Sequence, residues 1–427
     1  MIRMLVLADD LTGAADCGVA CAGCGMRTVV ALDDFRDCDA DVVAIDANTR
    51  ASEPQEAAAV MERLIRAHAP GDEWLIYKKI DSTLRGNVAA ELKAVLTARR
   101  AALGGGSQIV AVFAPAFPAT GRTTVGGRQL VNGLPLSESD LWQHERKPPP
   151  SSIMEIVGKA GLRSVLVELS AIRGNNLRET MTELAREADV LACDAESEED
   201  LRAIADASMA LGRGTIWVGS AGLAYHLPRA AGQDREPSAP QLPVASGPIL
   251  FVAGSASIVS GRQALLLESW PDVISVRIAP GVLRAGEDLP EWRAHRAALE
   301  RAFSAGVDVL VTVGADEPIE FAQEPLLAGA LGEMVRPFSN AVGALVVTGG
   351  ETARAVFRAW GITRLQILGE VEPGLPYSIA AGWRRSLPVL TKAGGFGKPE
   401  TLLHCREFLR ATGRGSELQS SLSRGRD

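Results

Sequence analysis

Short apolar runs alternate with longer amphipathic segments along most of the chain. In the first half, apolar runs of the length of buried strands are separated by segments such as 53–69 and 87–101, in which apolar residues recur every three or four positions as they do in helices. This alternation predicts a largely parallel β-sheet with helices on both faces. The predicted strands of this half are 2–8, 28–32, 42–45, 74–80, 108–113, 164–169 and 215–218.

A proline-rich stretch interrupts the pattern. Residues 234–248 contain four prolines and almost no periodicity, which indicates a linker. A second alternation then begins, and its predicted strands are 249–252, 273–278, 309–313, 344–347, 365–368 and 388–390. The sequence therefore predicts two α/β domains, each with a largely parallel sheet flanked by helices. We place them at 1–235 and 249–411, joined by a linker at 236–248 and followed by a polar, flexible tail at 412–427.

Composition and charge restrict the partners. The 427 residues are 47% hydrophobic and 22% charged, as in folded globular proteins, and 44 basic against 52 acidic residues give a net charge of −8. We therefore expect no nucleic-acid partner. The start, MIRMLVLADD, lacks the features of a secretion signal, and no apolar run reaches the ~18 residues that a membrane span needs. The expectation is a cytoplasmic protein without a membrane partner, and self-association is left open.

Polar residues follow three predicted strands of the first half. Asp9 and Asp10 follow the first strand, Arg50 lies shortly after the third, and the fourth leads into Lys79 and a run from Asp81 to Asn87. In parallel α/β sheets ligands bind beyond the carboxyl ends of the strands. If these strands are neighbours, the groups would line one cleft suited to a small polyhydroxylated anion. Arginines can hold a carboxylate in a bidentate manner, and aspartates accept hydrogen bonds from hydroxyls.

Each of these residues also has a simpler interpretation. Asp10 is a suitable helix N-cap, Asp81 and Ser82 could cap the helix that follows them, and Arg50 could be a solvated loop residue. The three strand ends together favour a binding site. A long polar segment, 115–127, follows the fifth strand and brings Arg122 and neighbouring threonines as further candidates to line the cleft, with a plain covering loop as the alternative.

The second half instead carries glycines and hydroxyls after its strands. The segments are Gly254–Ser257, Thr348–Thr352 and Lys392–Gly397. Glycines let backbone N–H groups approach a phosphate, and a helix N-terminus behind them favours negative charge. Each motif alone is weak because glycine after a strand is usually only a turn. Three of them in one domain predict a nucleotide site.

Several enzyme classes are disfavoured by missing motifs. There is no GxxxxGK[ST] motif, no protein-kinase motif set and no GxSxG elbow. The first strand is not followed by GxGxxG, and the carboxylates in its place would repel a pyrophosphate. Asp33, at the end of the second strand, sits where a ribose-binding acid would lie, which keeps an NAD(P)-dependent hydroxyacid dehydrogenase as an alternative. A non-catalytic acid-sugar sensor is another.

Five motifs in order along the chain resemble the four-carbon acid sugar kinase family, also known as DUF1537. They are ADDLTGA at 8–14, KIDSTLRGN at 79–87, PAFP with GRT at 115–123, GGET at 349–352 and GGFG at 394–397. The resemblance spans nearly the whole chain. It implies an acid-sugar-binding domain, a nucleotide-binding domain and an active site in the cleft between them. The implied reaction is ATP-dependent phosphorylation of the terminal hydroxyl of a four-carbon acid. The DDLTGA variant is nearest to the D-threonate kinases, with D-erythronate and 3-oxo-tetronate as alternative substrates.

The resemblance also implies roles for single residues. Mg²⁺ is expected with ATP and is expected to be held by phosphate oxygens and water, and its protein ligands are unknown. As a hypothesis, Arg50 and Arg85 share carboxylate binding and charge neutralisation, Lys79 offsets phosphate charge, and Asp9 or Asp10 orients or deprotonates the attacking hydroxyl. The implied substrate contacts are Asp9, Arg50, Asp81, Ser82, Thr83 and Leu84. The implied nucleotide contacts are Ser255, Gly349, Gly350, Glu351, Thr352, Gly394, Gly395, Phe396 and Gly397.

Overall fold

The chain forms two compact units, Met1–Ser238 and Ala239–Asp427, here called the N-terminal and C-terminal domains. The structure is a computed structural model. It describes residues 3–411 except 34, 36–37, 105–107, 140–141, 143–147, 151, 234, 236–241, 244, 255–256 and 315–322.

The N-terminal domain is built on a parallel sheet in the order β2-β3-β1-β4-β11-β5-β10-β9. Its central strands are apolar along their whole length because helices cover both faces of a parallel sheet. The strands are β1 (Arg3–Ala8), β2 (Thr28–Leu32), β3 (Val42–Asp46), β4 (Trp74–Lys79), β5 (Val110–Ala114), β9 (Ser164–Val167), β10 (Val190–Cys193) and β11 (Thr215–Gly219).

Helices connect these strands and bury one face each. In the second helix the buried residues Ala57, Met61, Leu64 and Ile65 recur at helical spacing and join the core under the sheet. The helices of this domain are α1 (Leu11–Ala22), α2 (Pro54–His68), α3 (Val88–Ala102), α4 (Ile153–Lys159), α5 (Leu169–Ile172), α6 (Leu177–Ala185), α7 (Glu198–Ser208), α8 (Ala221–Ala224) and α9 (Leu227–Ala230).

A small antiparallel sheet begins within segment 115–127, where a plain covering loop was one of the two interpretations of the sequence. Its strands are β6 (Arg122–Val125), β7 (Arg128–Val131) and β8 (Leu134–Pro135), in the order β6-β7-β8. Gly126 and Gly127 form the turn between the first two strands, and both have positive φ, of 59° and 69°. Two consecutive residues with positive φ are typical of tight hairpin turns, and glycine adopts them without strain.

The C-terminal domain has a mixed sheet in the order β13-β14-β12-β15-β18-β17-β16. Five strands are parallel, whereas β17 pairs in antiparallel fashion with β16 and β18. The strands are β12 (Ile249–Ala253), β13 (Val273–Ile278), β14 (Asp308–Val313), β15 (Ala344–Thr348), β16 (Arg364–Glu370), β17 (Pro376–Ala380) and β18 (Pro388–Lys392). The helices are α10 (Ile258–Glu268), α11 (Pro280–Ala285), α12 (Pro290–Ser304), α13 (Glu324–Val335), α14 (Gly350–Trp360) and α15 (Thr401–Ala411).

The predicted fold class is confirmed. All thirteen strands expected from the sequence are present within one or two residues of the expected ends. The alternation missed β10, β17 and the three strands of the small sheet, because these are short or lie in segments with little periodicity. Within the described ranges, none of the helices combines the length and apolar character that crossing a bilayer requires.

Candidate active site

Three polar strand ends of the N-terminal domain lie side by side. β1 is flanked by β3 and β4, and Ala8 pairs with both Asp46 and Lys79. The chain also crosses from one side of β1 to the other between β3 and β4, which makes this edge a topological switch point, where ligands bind in open parallel sheets. The segments beginning at Asp9, Ala47 and Ile80 therefore start at the same edge, as expected if the three strands are neighbours.

Asp9 and Arg50 form a bidentate ion pair at this edge. Arg50 Nε and Nη2 donate to the two carboxylate oxygens of Asp9 at 2.8 and 2.9 Å. The main chain holds the pair in register, since the amides of Thr49 and Arg50 donate to the Asp9 carbonyl at 3.0 and 3.2 Å. Gly86 lies against the pair, and a Cβ there would be 3.4 Å from both the Arg50 Cγ and an Asp9 carboxylate oxygen. Arg50 is thus not the solvated loop residue of the alternative interpretation.

Asp10 has two roles. Its side chain caps helix α1 by accepting from the Gly13 amide at 2.9 Å, which is the N-cap interpretation of the sequence. Its second oxygen accepts from Thr12 Oγ1 at 2.6 Å and from Arg50 Nη1 at 2.9 Å. The Asp10 side chain is 19% exposed, against 3% for Asp9, so Asp10 is the more accessible of the two carboxylates.

Asp81 organises a tight turn and does not cap a helix. Its carboxylate accepts from the Thr83 amide and hydroxyl, at 3.1 and 2.5 Å, and from Arg85 Nε and Nη2, at 2.9 and 2.8 Å. Arg50 Nη1 lies 3.7 Å from the same carboxylate. The N-cap of helix α3 is Asn87 instead. The alternative in which Asp81 or Ser82 caps that helix is therefore wrong.

The backbone of the turn is fixed from outside. Gln129 Nε2 donates to the Ser82 carbonyl at 2.8 Å, and Trp142 Nε1 donates to the Thr83 carbonyl at 2.9 Å. Leu84 has φ of 63°, an uncommon conformation for a residue with a side chain, and its side chain is buried in the hydrophobic core. A ligand at this turn would meet the backbone of Leu84, because the side chain points away into the core.

Two buried lysines end strand β4. Lys79 Nζ donates to the Ile80 carbonyl at 2.9 Å and lies below the first turn of α1, where a Cβ on Gly13 would come within 2.6 Å of it. Lys78 is fully buried and pairs with Glu91 at 2.9 Å. Glu91 also accepts a hydrogen bond from Thr49 Oγ1, which connects the buried pair to the segment that carries Arg50.

Sequence reasoning missed the pair of Lys78 and Glu91. A usable signal was present, since successive residues of a strand point to opposite faces and consecutive lysines at the end of a buried strand each need a partner on their own face. Glu91 lay unnoticed inside the predicted helix 87–101.

The charges at this edge determine which groups stay ionised. Burial alone would raise the pKa of Asp9, but the Arg50 guanidinium, with Lys78 and Lys79, holds it below its ordinary value. Burial would also raise the pKa of Asp81, and Arg85 and Arg50 hold it well below the ordinary range. Burial opposes the charge of Lys79, yet Cys17 and Asp10 raise its pKa. These two carboxylates and the lysine are therefore charged at neutral pH.

The glycine-rich segments of the C-terminal domain also converge. Strand β15 lies between β12 and β18, so residues after Ala253, Thr348 and Lys392 begin at one edge of three neighbouring strands. Gly349 has φ of 90° and is the N-cap of α14, which puts Gly350 and Glu351 in the first helical turn. Glu351 is exposed.

Thr352 and Ser255 are the other predicted nucleotide contacts after these strands. Thr352 is buried against Gly254, where a Cβ would meet its Oγ1 at 2.4 Å. Ser255 lies outside the described residues.

Lys392 supports the turn formed by Gly394, Gly395, Phe396 and Gly397. Its ammonium donates to the carbonyls of Ala393, Gly394 and Phe396 at 2.8, 3.3 and 2.9 Å. Burial lowers the pKa of this lysine to about 8, although Cys405 and Glu372 oppose the shift. The turn thus has a buried ammonium directly behind it. Sequence reasoning included Lys392 in this segment but not among its nucleotide contacts.

Gln263 Nε2 also donates to this segment, to the carbonyls of Phe396 and Lys398 at 3.0 and 2.8 Å. The turn is therefore held by side chains from both β18 and α10.

Each half of the chain matches a known family of domains. Residues 4–227 match "Sugar-binding N-terminal domain", and residues 250–402 match "Nucleotide-binding C-terminal domain". The chain belongs to the four-carbon acid sugar kinase family. The D-threonate kinase of Cupriavidus necator is 42% identical over 417 residues, covering 94% of this chain and 96% of that protein. The D-threonate kinase of Salmonella typhimurium is 34% identical over an alignment that covers 94% of this chain and 97% of that protein.

Relatives with other names are less similar. The 3-oxo-tetronate kinase of Pseudomonas savastanoi is 31% identical and covers 92% of this chain and 94% of its own. Among solved structures, Haemophilus influenzae protein HI1011 superposes with a TM-score of 0.73 at 21% identity, over 95% of this chain and all of that one. At that identity the structural likeness shows the fold alone.

Proposed function

We propose that this protein is an ATP-dependent kinase that phosphorylates the terminal hydroxyl of D-threonate to give 4-phospho-D-threonate. The support is the family assignment of both domains and the 42% identity to a protein named D-threonate kinase. The observation that carries the proposal is the edge around Asp9, Arg50 and Asp81, where carboxylate oxygens and guanidinium nitrogens lie 2.8 to 3.7 Å apart. Such a surface offers acceptors to sugar-type hydroxyls and positive charge to a carboxylate.

Asp9 and Asp10 are the proposed groups that orient the attacking hydroxyl. Phosphoryl transfer passes through a loose transition state, so positioning and electrostatics matter more than a strong base. The lowered pKa of Asp9 fits a group that stays ionised and accepts a hydrogen bond. Asp10 is the better placed of the two to take up a proton because its side chain is more exposed.

Arg50, Arg85 and Lys79 are the proposed positive groups. Arg50 and Arg85 keep the carboxylates of Asp9 and Asp81 ionised, and Lys79 adds a charge that would offset the phosphoryl group during transfer. Asp81 fixes the turn 81–84, whose backbone and hydroxyls at Ser82 and Thr83 are the proposed contacts for the rest of the acid sugar.

The edge formed by β12, β15 and β18 is the proposed site of ATP. Gly349 and Gly350 start helix α14, whose free N–H groups and dipole favour a phosphate, and the turn 394–397 brings further backbone close to it. The Lys392 ammonium behind the turn suits negative charge. No group of three or more His, Cys, Asp or Glu that could hold a metal ion occurs in the part of the chain that the structure describes. Mg²⁺ bound to the phosphates would neutralise charge on the transferred group.

Transfer requires that the hydroxyl and the γ-phosphate meet in line and away from water. We therefore propose that the active site forms between the domains when both substrates are bound. X-ray scattering of the protein alone, with each substrate, and with D-threonate and a non-hydrolysable ATP analogue should show a smaller radius of gyration only with both. An unchanged radius in all four samples would contradict this step.

A coupled assay of ADP release tests the function. The panel is D-threonate, D-erythronate and 3-oxo-tetronate, the acids in the names of the relatives. We expect the highest kcat/KM with D-threonate. A higher kcat/KM with D-erythronate or 3-oxo-tetronate would show that this acid is the substrate and that the protein is a different kinase of the same family. Binding of acids without ADP release would indicate a sensor, and reduction of NAD(P)⁺ would indicate a dehydrogenase.

A further inference from the structure

Arg122 is the first residue of β6, in the small antiparallel sheet next to the proposed acid-sugar site. This sheet is firmly attached to the domain. Thr124 exchanges backbone hydrogen bonds of 2.8 and 3.0 Å with Ala195, and the Asp194 carboxylate accepts from the amides of Gly126 and Gly127 at 2.8 Å each. On the other side, Gln129 reaches the Ser82 carbonyl. Arg122 therefore sits on a preorganised element in contact with the Asp81 turn.

The guanidinium of Arg122 has few partners within the described ranges. Its Nη1 donates to the carbonyl of Thr120, and its Nε is buried without a hydrogen-bond partner there. No carboxylate of that part of the chain forms an ion pair with it. Burial lowers its pKa, while Asp81 and Arg85 act on it in opposite directions. Arg122 is thus a half-buried guanidinium with donors that no described carboxylate occupies.

The other arginines of this edge are in a different situation. Arg50 already donates from Nε, Nη1 and Nη2 to Asp9 and Asp10, and Arg85 donates from Nε and Nη2 to Asp81. A substrate carboxylate that took the Nε and Nη2 side of either guanidinium would displace one of these aspartates. Displacement would leave a buried carboxylate without its partner, which is costly.

The described carboxylates that form ion pairs at this edge already have basic partners. Asp9, Asp10 and Asp81 pair with Arg50 and Arg85, and Glu91 pairs with Lys78 below them. Arg122 takes no part in these ion pairs. A guanidinium in this position is suited to a ligand that brings its own carboxylate.

We propose that Arg122 is the residue that binds the carboxylate of the four-carbon acid, and that it makes the site select acids over the corresponding neutral sugars. This inference rests on the proposed function and names the specificity element of that site. It assigns carboxylate recognition to Arg122 and leaves Arg50 and Arg85 to hold the aspartates that meet the hydroxyls.

The test is a double cycle in which the positive charge is removed from the protein and the negative charge is removed from the substrate, separately and together. Wild type, Arg122→Gln and Arg122→Lys are assayed with D-threonate and with D-threonamide, its uncharged amide. Arg128→Gln is the matched control, because Arg128 lies on the neighbouring strand of the same hairpin and is exposed. Hydrogen bonds to charged groups contribute enough for roughly 10- to 100-fold in affinity.

We expect Arg122→Gln to raise KM for D-threonate by about that factor with KM for ATP unchanged. It should not lower the activity with D-threonamide further, since the contact is already absent. Arg122→Lys should fall between, because it keeps the charge and loses the planar fork. Arg128→Gln should behave as wild type.

Other results would overturn the assignment. One is an unchanged KM for D-threonate in Arg122→Gln, and another is a fall in kcat alone. A third is that Arg122→Gln lowers kcat/KM by the same factor with D-threonamide as with D-threonate, so that the two effects are independent. If Arg122→Gln does not fold, Arg122→Lys and the acid-to-amide comparison in wild type carry the test. Absence of ADP release by wild type with every acid would reject the proposed function instead. Calorimetric binding of D-threonate and D-threonamide to wild type and Arg122→Lys would then decide the role of Arg122 separately.

Discussion

Arg50 holds Asp9 through two parallel hydrogen bonds of 2.8 and 2.9 Å, and both residues come from the ends of neighbouring strands. Such a fork fixes both distance and orientation of the two groups. The pair is separated by 41 positions along the chain, and it exists because β1 and β3 are adjacent and parallel. Its geometry keeps the pKa of the Asp9 carboxyl below its ordinary value, so that Asp9 is an ionised acceptor at neutral pH at the mouth of the proposed acid-sugar site.

Asparagine at position 9 or 10 should separate the roles of the two carboxylates. Asp9→Asn breaks the fork because the amide offers N–H groups to a guanidinium, and we expect kcat/KM for D-threonate to fall about 10²- to 10⁴-fold. Asp10→Asn keeps the helix cap, since asparagine caps as well as aspartate, and should lower kcat with little loss of thermal stability. Steady-state kinetics and thermal unfolding measure the two effects.

The control for these variants is Asp39→Asn. Asp39 also pairs with an arginine, Arg27, but its side chain is 88% exposed. That variant should keep wild-type kinetics. Full turnover by both Asp9→Asn and Asp10→Asn would remove carboxylate assistance from the account.

The buried pair of Lys78 and Glu91 should matter for stability. Glu91→Gln leaves the Lys78 ammonium buried without a counter-charge, and we expect a loss of about 3–5 kcal/mol in the free energy of unfolding. Replacing both residues with apolar ones, as in Lys78→Met with Glu91→Leu, should restore most of it. Urea denaturation measures both changes.

The matched control is Glu62→Gln, which breaks the exposed pair with Arg66 and should cost no more than about 0.5 kcal/mol. A Glu91→Gln variant as stable as this control would show that the buried pair contributes nothing.

Lys392 should make nucleotide binding depend on pH. Its pKa in the folded protein is about 8, and phosphate binding favours the ammonium form. KM for ATP is therefore expected to rise as the pH increases through about 8. The free energy of unfolding changes with pH in the opposite direction to nucleotide binding. Between pH 8 and 10.5 the Lys392 side chain is protonated in the unfolded chain and largely neutral in the folded protein. The contribution of Lys392 to stability therefore increases with pH in this interval. Weaker nucleotide binding in this interval would thus not reflect loss of stability at Lys392.

Lys392→Arg is the informative variant, since an arginine stays charged and should remove the rise in KM for ATP across this range. Lys93→Met, at an exposed position of α3, should keep it. The charged and titratable groups that act on Lys392 are Cys405 and Glu372. A KM for ATP that does not change between pH 7 and 9.5 in wild type would argue against a role for the ammonium.

Gly397 should be needed for the turn at the proposed nucleotide site. Its φ is 89°, and a Cβ would lie 2.6 Å from Thr401 Oγ1 and 3.0 Å from Gln263 Nε2, both of which hold the turn. Gly397→Ala should raise KM for ATP and leave binding of D-threonate unchanged. Gly306→Ala is the control, because its φ is 71° and a Cβ there meets nothing within 4 Å.

Both substitutions should cost about 1–2 kcal/mol for the backbone conformation, and only the first should affect the nucleotide. Equal KM values for ATP in the two variants would place the nucleotide elsewhere.

The sequence predicted the parts of the site that follow from periodicity. Asp9, Arg50 and Asp81 come after buried apolar runs, and parallel sheets bring the carboxyl ends of neighbouring strands together, so their proximity was expected. In the structure the same property of parallel strands brings Gly349 and Gly394 to one edge of the second sheet.

Pairings that depend on distant side chains could not be predicted. Nothing in the helical pattern of 87–101 indicates that Glu91 is buried against Lys78, because which helix face packs on a strand depends on the tertiary arrangement. Arg122 was a candidate only through the length of its loop. The hairpin could not be predicted from the sequence because its two strands have just four residues each and little apolar alternation.

The most direct test of the central claim is identification of the product. The protein is incubated with D-threonate, ATP and Mg²⁺, and the mixture is followed by phosphorus NMR with proton correlation. The account predicts one phosphomonoester whose phosphorus couples to the protons on C4, formed in equal amount with ADP. Release of inorganic phosphate without an ester, or an ester at another carbon, would contradict it.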